Sequence, residues 1–253
     1  MVIDDGISAI IMSSSYSLQI EELLNGEISI VGRLVDASNA TLFCELEIDN
    51  NTELETRPRV VYKPIAGERP LWDFPEGNLA GREVAAYLFS DFADFHLVPK
   101  TVMRDGPFGP GAVQEWIEAD PEIDVIAFAQ GNDPRLRLMA LFDCLINNTD
   151  RKFGHILIDS AGSLFGCDHG VSFHSDFKLR TVLWQFAGMD FADVEHARLD
   201  FIGENFQEIS QLLSPYLSSA EIAELENRTR NLRSVGRFPY PNPSWPAIPW
   251  PPV

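Results

Sequence analysis

The first half of the chain consists of short hydrophobic runs separated by polar segments, a pattern that predicts strands. Five such runs, bounded by turn residues, cover residues 28–35, 40–48, 59–63, 97–103 and 112–117. The first two are separated only by residues 36–39 and predict a β-hairpin, and a turn rich in Gly and Pro is expected at 106–111 between the last two. We therefore expect an antiparallel sheet in this half.

Helical spacing of apolar residues predicts the helices. A period of four positions predicts a long helix over 81–95. A short helix is expected to follow a cap at Ser17 and to stop at residues 25–26. Before it, residues 1–16 have the composition of a loose leader.

The second half of the chain is predicted to be mainly helical. An almost entirely apolar stretch predicts a buried helix over 134–146. Further helices are expected at 193–213 and at 218–232, the second of which opens with a Ser-x-x-Glu capping box. The tail, residues 239–253, is dense in Pro and Trp. It cannot form a helix or a central strand, and it either lies extended on the surface or binds a partner.

Composition and charge exclude several classes of protein. A chain of 253 residues with 45% hydrophobic and 23% charged residues is globular and is not disordered over most of its length. The 19 Lys and Arg against 38 Asp and Glu give a formal net charge of −19, so the surface repels phosphate backbones and anionic headgroups. Nucleic acid and stable membrane insertion are therefore not expected.

Cysteine usage and the N-terminus favour a cytoplasmic protein. The three cysteines, Cys44, Cys144 and Cys167, are far apart and predict neither a disulfide framework nor a thiolate zinc site. The N-terminus carries acidic residues where a signal peptide needs positive charge, and its apolar stretch at 7–12 is too short to cross a bilayer.

Two acids and a histidine flank a short hairpin that is predicted at 156–158 and 164–167. Asp150 lies five positions before His155, and Asp168 lies thirteen positions after it. Because the hairpin reverses the chain, we expect Asp168 to lie beside His155 while Asp150 stays at the loop tip. The three side chains are thus predicted to converge on one volume.

These intervals are those of kinase-fold active sites. The segment resembles the catalytic and metal-binding loops of the phosphatidylinositol 3- and 4-kinase superfamily, whose pattern is D-R-x-x-x-N, a hairpin, and then D-F-G. The corresponding residues here are Asp150-Arg151-Lys152-Phe153-Gly154-His155 and Asp168-His169-Gly170. More narrowly, residues 17–240 are similar to an actinobacterial family described as phosphatidylinositol-kinase-like, and more distantly to HipA-type protein kinases.

The resemblance implies an α+β fold of the bilobal protein-kinase-like type. Residues 17–117 would form a nucleotide-binding N-lobe with an antiparallel sheet and one long helix. Residues 118–238 would form a mainly helical C-lobe that contains the catalytic hairpin and the metal loop.

Two residues differ from the superfamily pattern. His155 replaces the usual asparagine and His169 the usual phenylalanine. The resemblance implies His155 and Asp168 as metal ligands, and because imidazole is softer than an amide oxygen, Mn²⁺ is an alternative to Mg²⁺. In a second interpretation, His155 only hydrogen-bonds Asp168 and does not touch the metal.

The resemblance also indicates where ATP would bind. Lys63, at the end of the third strand, would contact the α- and β-phosphates, and Glu83 would pair with its ammonium. Polar residues of the first turn would approach the phosphates, and backbone groups of the last strand would meet the adenine edge. The residues concerned are Ser38, Asn39 and Thr41 for the phosphates and Glu115 and Ile117 for adenine.

The hypothesis that follows is an ATP-dependent kinase. Asp150 would orient or deprotonate the acceptor hydroxyl, and Asp168 with His155 would hold a divalent ion across the β- and γ-phosphates. Arg151 or Lys152 would either stabilise the γ-phosphate or hold the loop. Further along the chain, the cations at 178 and 180 would either bind an acidic acceptor or pair with surface acids.

Three other functions stay open. The chain could be a weakly active pseudokinase that binds nucleotide and recruits a partner through its tail. It could be a metal-dependent hydrolase that uses Asp150, His155, Asp168 and His169. It could also transfer a nucleotidyl group. The net charge of −19 disfavours a phosphoinositide headgroup, so the expected acceptor is a protein or a soluble metabolite.

Overall fold

The computed structural model describes residues 18–34, 40–48, 57–69, 71, 73–74 and 78–253. The first half contains, in order, α1 (Ile20–Asn25), β1 (Glu27–Arg33), β2 (Leu42–Glu47), β3 (Arg59–Pro64), α2 (Leu79–Phe92), β4 (Thr101–Gly106) and β5 (Gly109–Glu115). The second half contains α3 (Val125–Ala129), α4 (Pro134–Ile146), β6 (Ile156–Ile158), β7 (Leu164–Gly166), α5 (Asp193–Glu204), α6 (Phe206–Leu213) and α7 (Ser219–Val235). The predicted α+β class is confirmed.

The first five strands form one antiparallel sheet in the order β1-β2-β3-β5-β4. Alternation along the strands gives the sheet two apolar faces. On one face, Tyr62 and Val113 are fully buried against α1. On the other face, Ala112 packs against Val84 of α2. The sheet is therefore covered on both faces, which leaves its end near Lys63 to contribute to a cleft.

The turn between β4 and β5 is shorter than predicted. We expected it at 106–111, but the chain turns at residues 107–108 and Gly109 already belongs to β5. The glycines serve close packing: a Cβ on Gly106 or on Gly111 would come within 2.7 Å of the Tyr62 ring. The Tyr62 hydroxyl also donates to the carbonyl oxygen of Gly109 (2.6 Å). Glycine at these positions lets the Tyr62 ring pack directly against the strands. The local sequence alone does not distinguish this use of glycine from its use in a turn.

Helix α2 covers residues 79–92 instead of the predicted 81–95. It begins earlier because the side chain of Asn78 caps it by accepting from the N–H of Gly81. Past its end, the Ser90 hydroxyl oxygen accepts from the N–H groups of Leu97 (2.9 Å) and Val98 (3.3 Å). Because these two N–H groups are bonded to Ser90, they cannot pair with a neighbouring strand. The strand predicted to start at residue 97 therefore starts only at Thr101.

Helix α1 begins at Ile20, after Gln19, whose N–H donates to the carboxylate of Glu22 (2.7 Å). The cap predicted at Ser17 is therefore wrong, because the helix starts further along the chain, and Ser17 itself lies outside the described residues. The predicted stop at residues 25–26 is confirmed.

The second half is built around α4, whose bounds are those predicted. Its apolar residues form the largest core together with α5, α6 and α7. The helix predicted over 193–213 is interrupted at Asn205, which leaves helical geometry (φ −109°) and divides it into α5 and α6. In the described part of the chain, no helix is both long and apolar enough to span a membrane.

The capping box at the start of α7 is present. The Ser218 hydroxyl accepts from the N–H of Glu221 (3.3 Å), and the Glu221 carboxylate accepts from the N–H of Ser218 (2.8 Å). We expect Ser218→Ala to lower the free energy of unfolding by about 1 kcal/mol, because it removes the cap acceptor. Urea unfolding followed by circular dichroism would measure this. Ser219→Ala, at an exposed position one residue further on, should change the free energy by only a few tenths of that, and equal losses in both variants would contradict the prediction.

The C-terminal tail contains neither helix nor strand, as predicted. It lies against the second half: the N–H of Phe153 donates to the carbonyl oxygen of Pro252 (2.8 Å), and the indole N–H of Trp184 donates to that of Ala247 (2.7 Å). Its Trp250 is 88% exposed. The tail thus follows the surface of the second half; binding of a partner stays a prediction.

Candidate active site

A cavity of about 1080 Å³ lies between the five-stranded sheet and the second half of the chain. Its walls come from strands β1 and β3, from residues 40–41 before β2, from α2, from residues 114–119 that join the two halves, and from the loops on both sides of the β6–β7 hairpin. Small-molecule sites commonly have volumes of about 300–1,000 Å³. The cavity therefore has room for a nucleotide and part of a second substrate.

Lys63 lines this cavity and contacts two carboxylates. Its ammonium donates one hydrogen bond to Glu83 of α2 and a second, 2.9 Å long, to Oδ1 of Asp168. Strand alternation explains its direction, because Tyr62 points into the core against α1 and its neighbour points to the opposite face. The structure thus brings together Lys63 and Glu83, as the resemblance implied, and adds Asp168 to the pair.

The charges in this cluster stabilise one another. Burial alone would lower the pKa of Lys63, but the negative charges of Asp168 and Glu83 outweigh it and hold that pKa above its ordinary value. The ammonium in turn holds the pKa of Asp168 well below its usual range. Burial raises the pKa of Glu83, whose carboxylate also accepts from the N–H groups of His169 (3.0 Å) and Gly170 (3.1 Å). A charged lysine therefore faces the cavity, and Glu83 connects it to residues 168–170, the metal loop that the resemblance implies.

The β6–β7 hairpin places His155 beside Asp168. Its register pairs Ile156 with Gly166, and the N–H of Cys167 donates to the carbonyl oxygen of His155 (3.1 Å). As a result, Nε2 of His155 lies 3.5 Å from Oδ2 of Asp168. The chain reversal has the effect that the spacing predicts.

The donor atoms of Asp150, His155 and Asp168 fit a divalent ion. Nδ1 of His155 lies 2.8 Å from the carbonyl oxygen of Asp150, and because a carbonyl oxygen only accepts, Nδ1 donates and Nε2 keeps its lone pair. Burial lowers the pKa of His155, which favours the neutral ring. One ligand atom from each of the three residues lies within 4.8 Å of the others. Two carboxylates and an imidazole nitrogen suit Mg²⁺ or Mn²⁺.

Arg151 does not face the cavity. Its side chain is fully buried, and its guanidinium pairs with Asp143 of α4 (2.9 Å) and lies 2.7 Å from Nε2 of His169. It also donates to the carbonyl oxygens of His155 (3.1 Å) and Cys167 (3.3 Å). An enclosed guanidinium cannot reach a phosphate, so the catalytic role predicted for Arg151 is corrected to the alternative role, that of holding the loop.

Sequence reasoning missed Asp143. This residue is fully buried in the apolar helix α4, and its carboxylate accepts from Arg151, from Nδ2 of Asn148 (2.9 Å) and from the hydroxyl of Thr181 (3.4 Å). Because carboxylates are almost never fully buried without a partner, an aspartate inside a helix predicted to be buried is itself a signal. That signal indicates a buried cation nearby in the fold.

His169 does not belong to the metal group. It is fully buried, and its ring packs edge-on against Phe142 with centroids 5.8 Å apart. Burial and the nearby Arg151 hold its pKa well below the ordinary value. Among the residues that the structure describes, Asp150, His155 and Asp168 form the one group of three or more His, Cys, Asp or Glu side chains close enough together to hold an ion. The hydrolase alternative, which needs His169 as a ligand, is not supported by this placement.

The predicted phosphate-binding turn is described only in part. Ser38 and Asn39 lie outside the described residues. Thr41 is buried and lines the cavity, and its carbonyl oxygen accepts from the N–H of Leu34 (3.0 Å). Thr41 is therefore the member of the predicted set that the structure brings to the cavity.

Two backbone donors of the segment that joins the two halves are already paired. The N–H of Glu115 donates to the carbonyl oxygen of Lys100 (2.8 Å), and the N–H of Trp116 donates to that of Arg59 (3.0 Å). Ile117 lines the cavity, and no acceptor in the described ranges meets its N–H. Of the two residues predicted to meet adenine, Ile117 has its backbone donor available and Glu115 does not.

Comparison with known proteins gives one close relative and several distant structures. No family model matches the chain. Protein Rv2133c of Mycobacterium tuberculosis (strain ATCC 25618 / H37Rv) is 38% identical over an alignment 265 positions long, gaps included, that covers 90% of this chain and 93% of that protein.

The structure of hydra Fam20 with sugar superimposes with a TM-score of 0.58 at 16% identity, over 85% of this chain and 86% of that one. The Helicobacter pylori proinflammatory kinase CtkA gives a TM-score of 0.48 at 12% identity, over 85% of this chain and 94% of that one. Together with the five-stranded antiparallel sheet and the helices that follow it, the match to Fam20 confirms the predicted kinase-like fold.

Proposed function

The chain belongs to the same family as Protein Rv2133c of Mycobacterium tuberculosis, and we propose that it is an ATP-dependent kinase that acts on a hydroxyl group of a protein or small molecule. The observation that carries this proposal is that Lys63, Asp168 and the Asp150–His155 loop meet at one cavity. Phosphoryl transfer depends on positioned charges more than on covalent help. A lysine, a carboxylate at a loop tip and a metal-binding group supply such charges.

In the proposed reaction, the acceptor oxygen attacks the γ-phosphorus of ATP, the bond to the bridging oxygen breaks, and ADP leaves with the electron pair. Asp150 orients the acceptor hydroxyl and takes its proton. Lys63 neutralises charge on the α- and β-phosphates, and Glu83 holds the ammonium in place. Asp168 and His155 would hold a divalent ion, Mg²⁺ or Mn²⁺, which would supply neutralisation of phosphate charge.

The finer assignments are part of the same proposal. The D-R and D-H-G motifs support membership of the phosphatidylinositol 3-/4-kinase-like superfamily, with HipA-type kinases as distant relatives. The net charge of −19 supports a soluble acceptor. The proposed boundary between the N-lobe and the C-lobe lies between residues 117 and 118. A cytoplasmic location is supported by three cysteines that are all free thiols.

One observation favours a second function. His155 replaces the asparagine usual in the superfamily, and in a pseudokinase this change would weaken metal binding enough to leave nucleotide binding without transfer. Such a protein would use its nucleotide and its tail to recruit a partner.

Labelled ATP tests the proposal. We expect the full chain to transfer label from γ-labelled ATP, but not from α-labelled ATP, to itself or to water in the presence of Mg²⁺ or Mn²⁺. Asp150→Asn should reduce this transfer by about 10²–10⁴-fold, because the proton acceptor is lost. It should still bind ATP, so a nucleotide concentration of 100 times Kd should stabilise it by about 2.7 kcal/mol, as in the wild type.

Asp193→Asn is the matched control, because Asp193 is an exposed carboxylate on α5 and does not line the cavity. It should keep both transfer and thermal stabilisation. Transfer of the α-label would indicate a nucleotidyltransferase. Stabilisation by ATP without any labelled product would favour the pseudokinase, and the absence of stabilisation would overturn both proposals.

A further inference from the structure

The C-terminal tail lies across the segment that follows the metal loop. We call residues 177–181 the activation segment. Nδ2 of Asn242 donates to a carbonyl oxygen at the start of this segment (3.1 Å), and the N–H of Thr181 at its end donates to the carbonyl oxygen of Ala247 (3.1 Å). The indole of Trp245, between these two tail residues in sequence, packs against both cations of the segment. Tail and activation segment therefore form one surface.

The two cations of the activation segment have different surroundings. Lys178 is buried, and its ammonium lies 3.3 Å from the carboxylate of Asp73. Arg180 lines the cavity together with Asp150. No carboxylate in the described part of the chain lies within ion-pair distance of Arg180. From the sequence, each of these two residues could either bind an acidic acceptor or pair with a surface acid. In the structure Lys178 pairs with an acid, whereas Arg180 has charge available for a ligand.

Three contacts hold Arg180 in one position. Its N–H donates to the carbonyl oxygen of Asn148 (2.9 Å), and its Nε donates to that of Thr149 (2.5 Å). Its guanidinium carbon lies 5.7 Å from the ring centre of Trp245, within cation–π range. A guanidinium has five N–H donors. The donors on its two terminal nitrogens meet no acceptor among the described residues.

Those unused donors define the chemistry of a ligand. The planar fork of a guanidinium matches the two oxygens of a carboxylate or a phosphate. Asp and Glu residues outnumber Lys and Arg residues two to one in this chain, so carboxylates that could form an ion pair with an arginine are abundant. Thr149, which fixes the fork, directly precedes Asp150. The indole N–H of Trp245 is also buried without an acceptor in the described ranges, which adds a further donor with unused capacity.

We propose that Arg180, positioned by Trp245 of the tail, binds an anionic group of the acceptor substrate. This group lies beside the hydroxyl whose proton Asp150 takes. The inference rests on the proposed kinase function and adds the class of acceptor: a hydroxyl compound or peptide that carries a carboxylate or phosphate near the reacting hydroxyl. Trp245 is a positioning residue, and Arg180 contacts the substrate. The tail is then one wall of the acceptor site.

Anion binding to the full chain tests this. The protein is saturated with a non-hydrolysable ATP analogue and Mg²⁺, and inorganic phosphate and malonate are titrated separately by calorimetry. We expect saturable binding of one or both anions. Arg180→Gln should weaken it about tenfold or more, because a charge-assisted pair is lost. Arg180→Lys should fall between the two, and Trp245→Leu should weaken binding about threefold. Affinity for the ATP analogue should stay within twofold in every variant.

Arg230→Gln, at an exposed arginine of α7 outside the cavity, is the matched control and should change nothing. Binding of phosphate alone would indicate a phosphorylated acceptor, and binding of malonate alone an acidic one. Unchanged anion affinity in Arg180→Gln, or no saturable binding by the wild type, would overturn the inference while leaving the kinase proposal intact. If Arg180→Gln does not fold, Arg180→Lys and Trp245→Leu decide the question. Failure of the wild type to bind the ATP analogue would overturn the kinase proposal, and this inference with it.

Discussion

Replacing Asp168 by asparagine is expected to lower ATP-dependent phosphoryl transfer by about 10²–10³-fold or more. The carboxylate of Asp168 is shared by the ammonium of Lys63, at 2.9 Å, and by Nε2 of His155, at 3.5 Å. Asparagine keeps the shape of the side chain and removes its charge. The variant therefore loses a ligand for the divalent ion and leaves Lys63 with Glu83 as its remaining carboxylate partner.

Asparagine is preferred to alanine because of the backbone. Asp168 has a φ of 59°, in the left-handed region that asparagine and aspartate tolerate best among residues other than glycine. Alanine there would add a strain of about 1–2 kcal/mol to the loss of charge. Asp168→Asn thus separates electrostatics from strain, and Asp168→Ala should be less stable than Asp168→Asn.

The measurement is transfer of γ-label, together with the melting temperature as a function of Mg²⁺ or Mn²⁺ in the presence of ATP. The variant should lose the metal-dependent part of the stabilisation. Asp94→Asn is the control, because Asp94 has the same backbone geometry (φ 58°), is exposed and does not line the cavity. Wild-type transfer by Asp168→Asn would remove the basis for the assignment of the metal loop.

Replacing Asp143 by leucine is expected to reduce the free energy of unfolding by about 3–5 kcal/mol. The side chains of Asp143 and Arg151 are both fully enclosed, so the single variant leaves a buried guanidinium without its counter-charge. Whole-domain stabilities are about 5–15 kcal/mol, so the loss is a large fraction of the total. Urea unfolding, monitored by circular dichroism, would measure it.

The double variant Asp143→Leu/Arg151→Met provides the sharper comparison. Replacement of both members of a buried ion pair by apolar residues is often neutral or stabilising, so the double variant should recover most of the loss. The exposed pair of Asp200 and Arg233, 2.7 Å apart, is the control, and Asp200→Asn should cost less than about 1 kcal/mol. A double variant as unstable as Asp143→Leu would show that the pair contributes more than charge compensation.

Helix α4 and the core strands were predictable because their signals are local. Helix α4 has a proline in its first turn, is apolar over residues 138–146 apart from Asp143, and ends at Asn147, where the backbone enters the left-handed region (φ 51°). The C-terminal end of α2 and the start of β4 were not predictable, because they depend on one side chain. The Ser90 hydroxyl oxygen accepts from two later N–H groups that would otherwise join a strand. Such competition between side chain and backbone is invisible to hydrophobic periodicity.

The candidate site divides in the same way. The approach of His155 to Asp168 follows from a tight hairpin. The pairing of its two short strands determines which residues lie opposite each other where the strands meet the flanking loops. The contact between Lys63 and Asp168 joins residues 105 positions apart and depends on how the sheet meets the second half. The role of Arg151 was open in the sequence, because a loop arginine points outward or inward according to what lies beneath it, and Asp143 lies there.

Helix α2 is anchored at two adjacent positions. Arg82 pairs with the buried Glu221 of α7 (2.7 Å), while Glu83 holds Lys63 and two backbone donors of the metal loop. A displacement of this helix away from the cavity would break both sets of contacts together, so α2 couples the position of the Lys63 ammonium to the packing of α7.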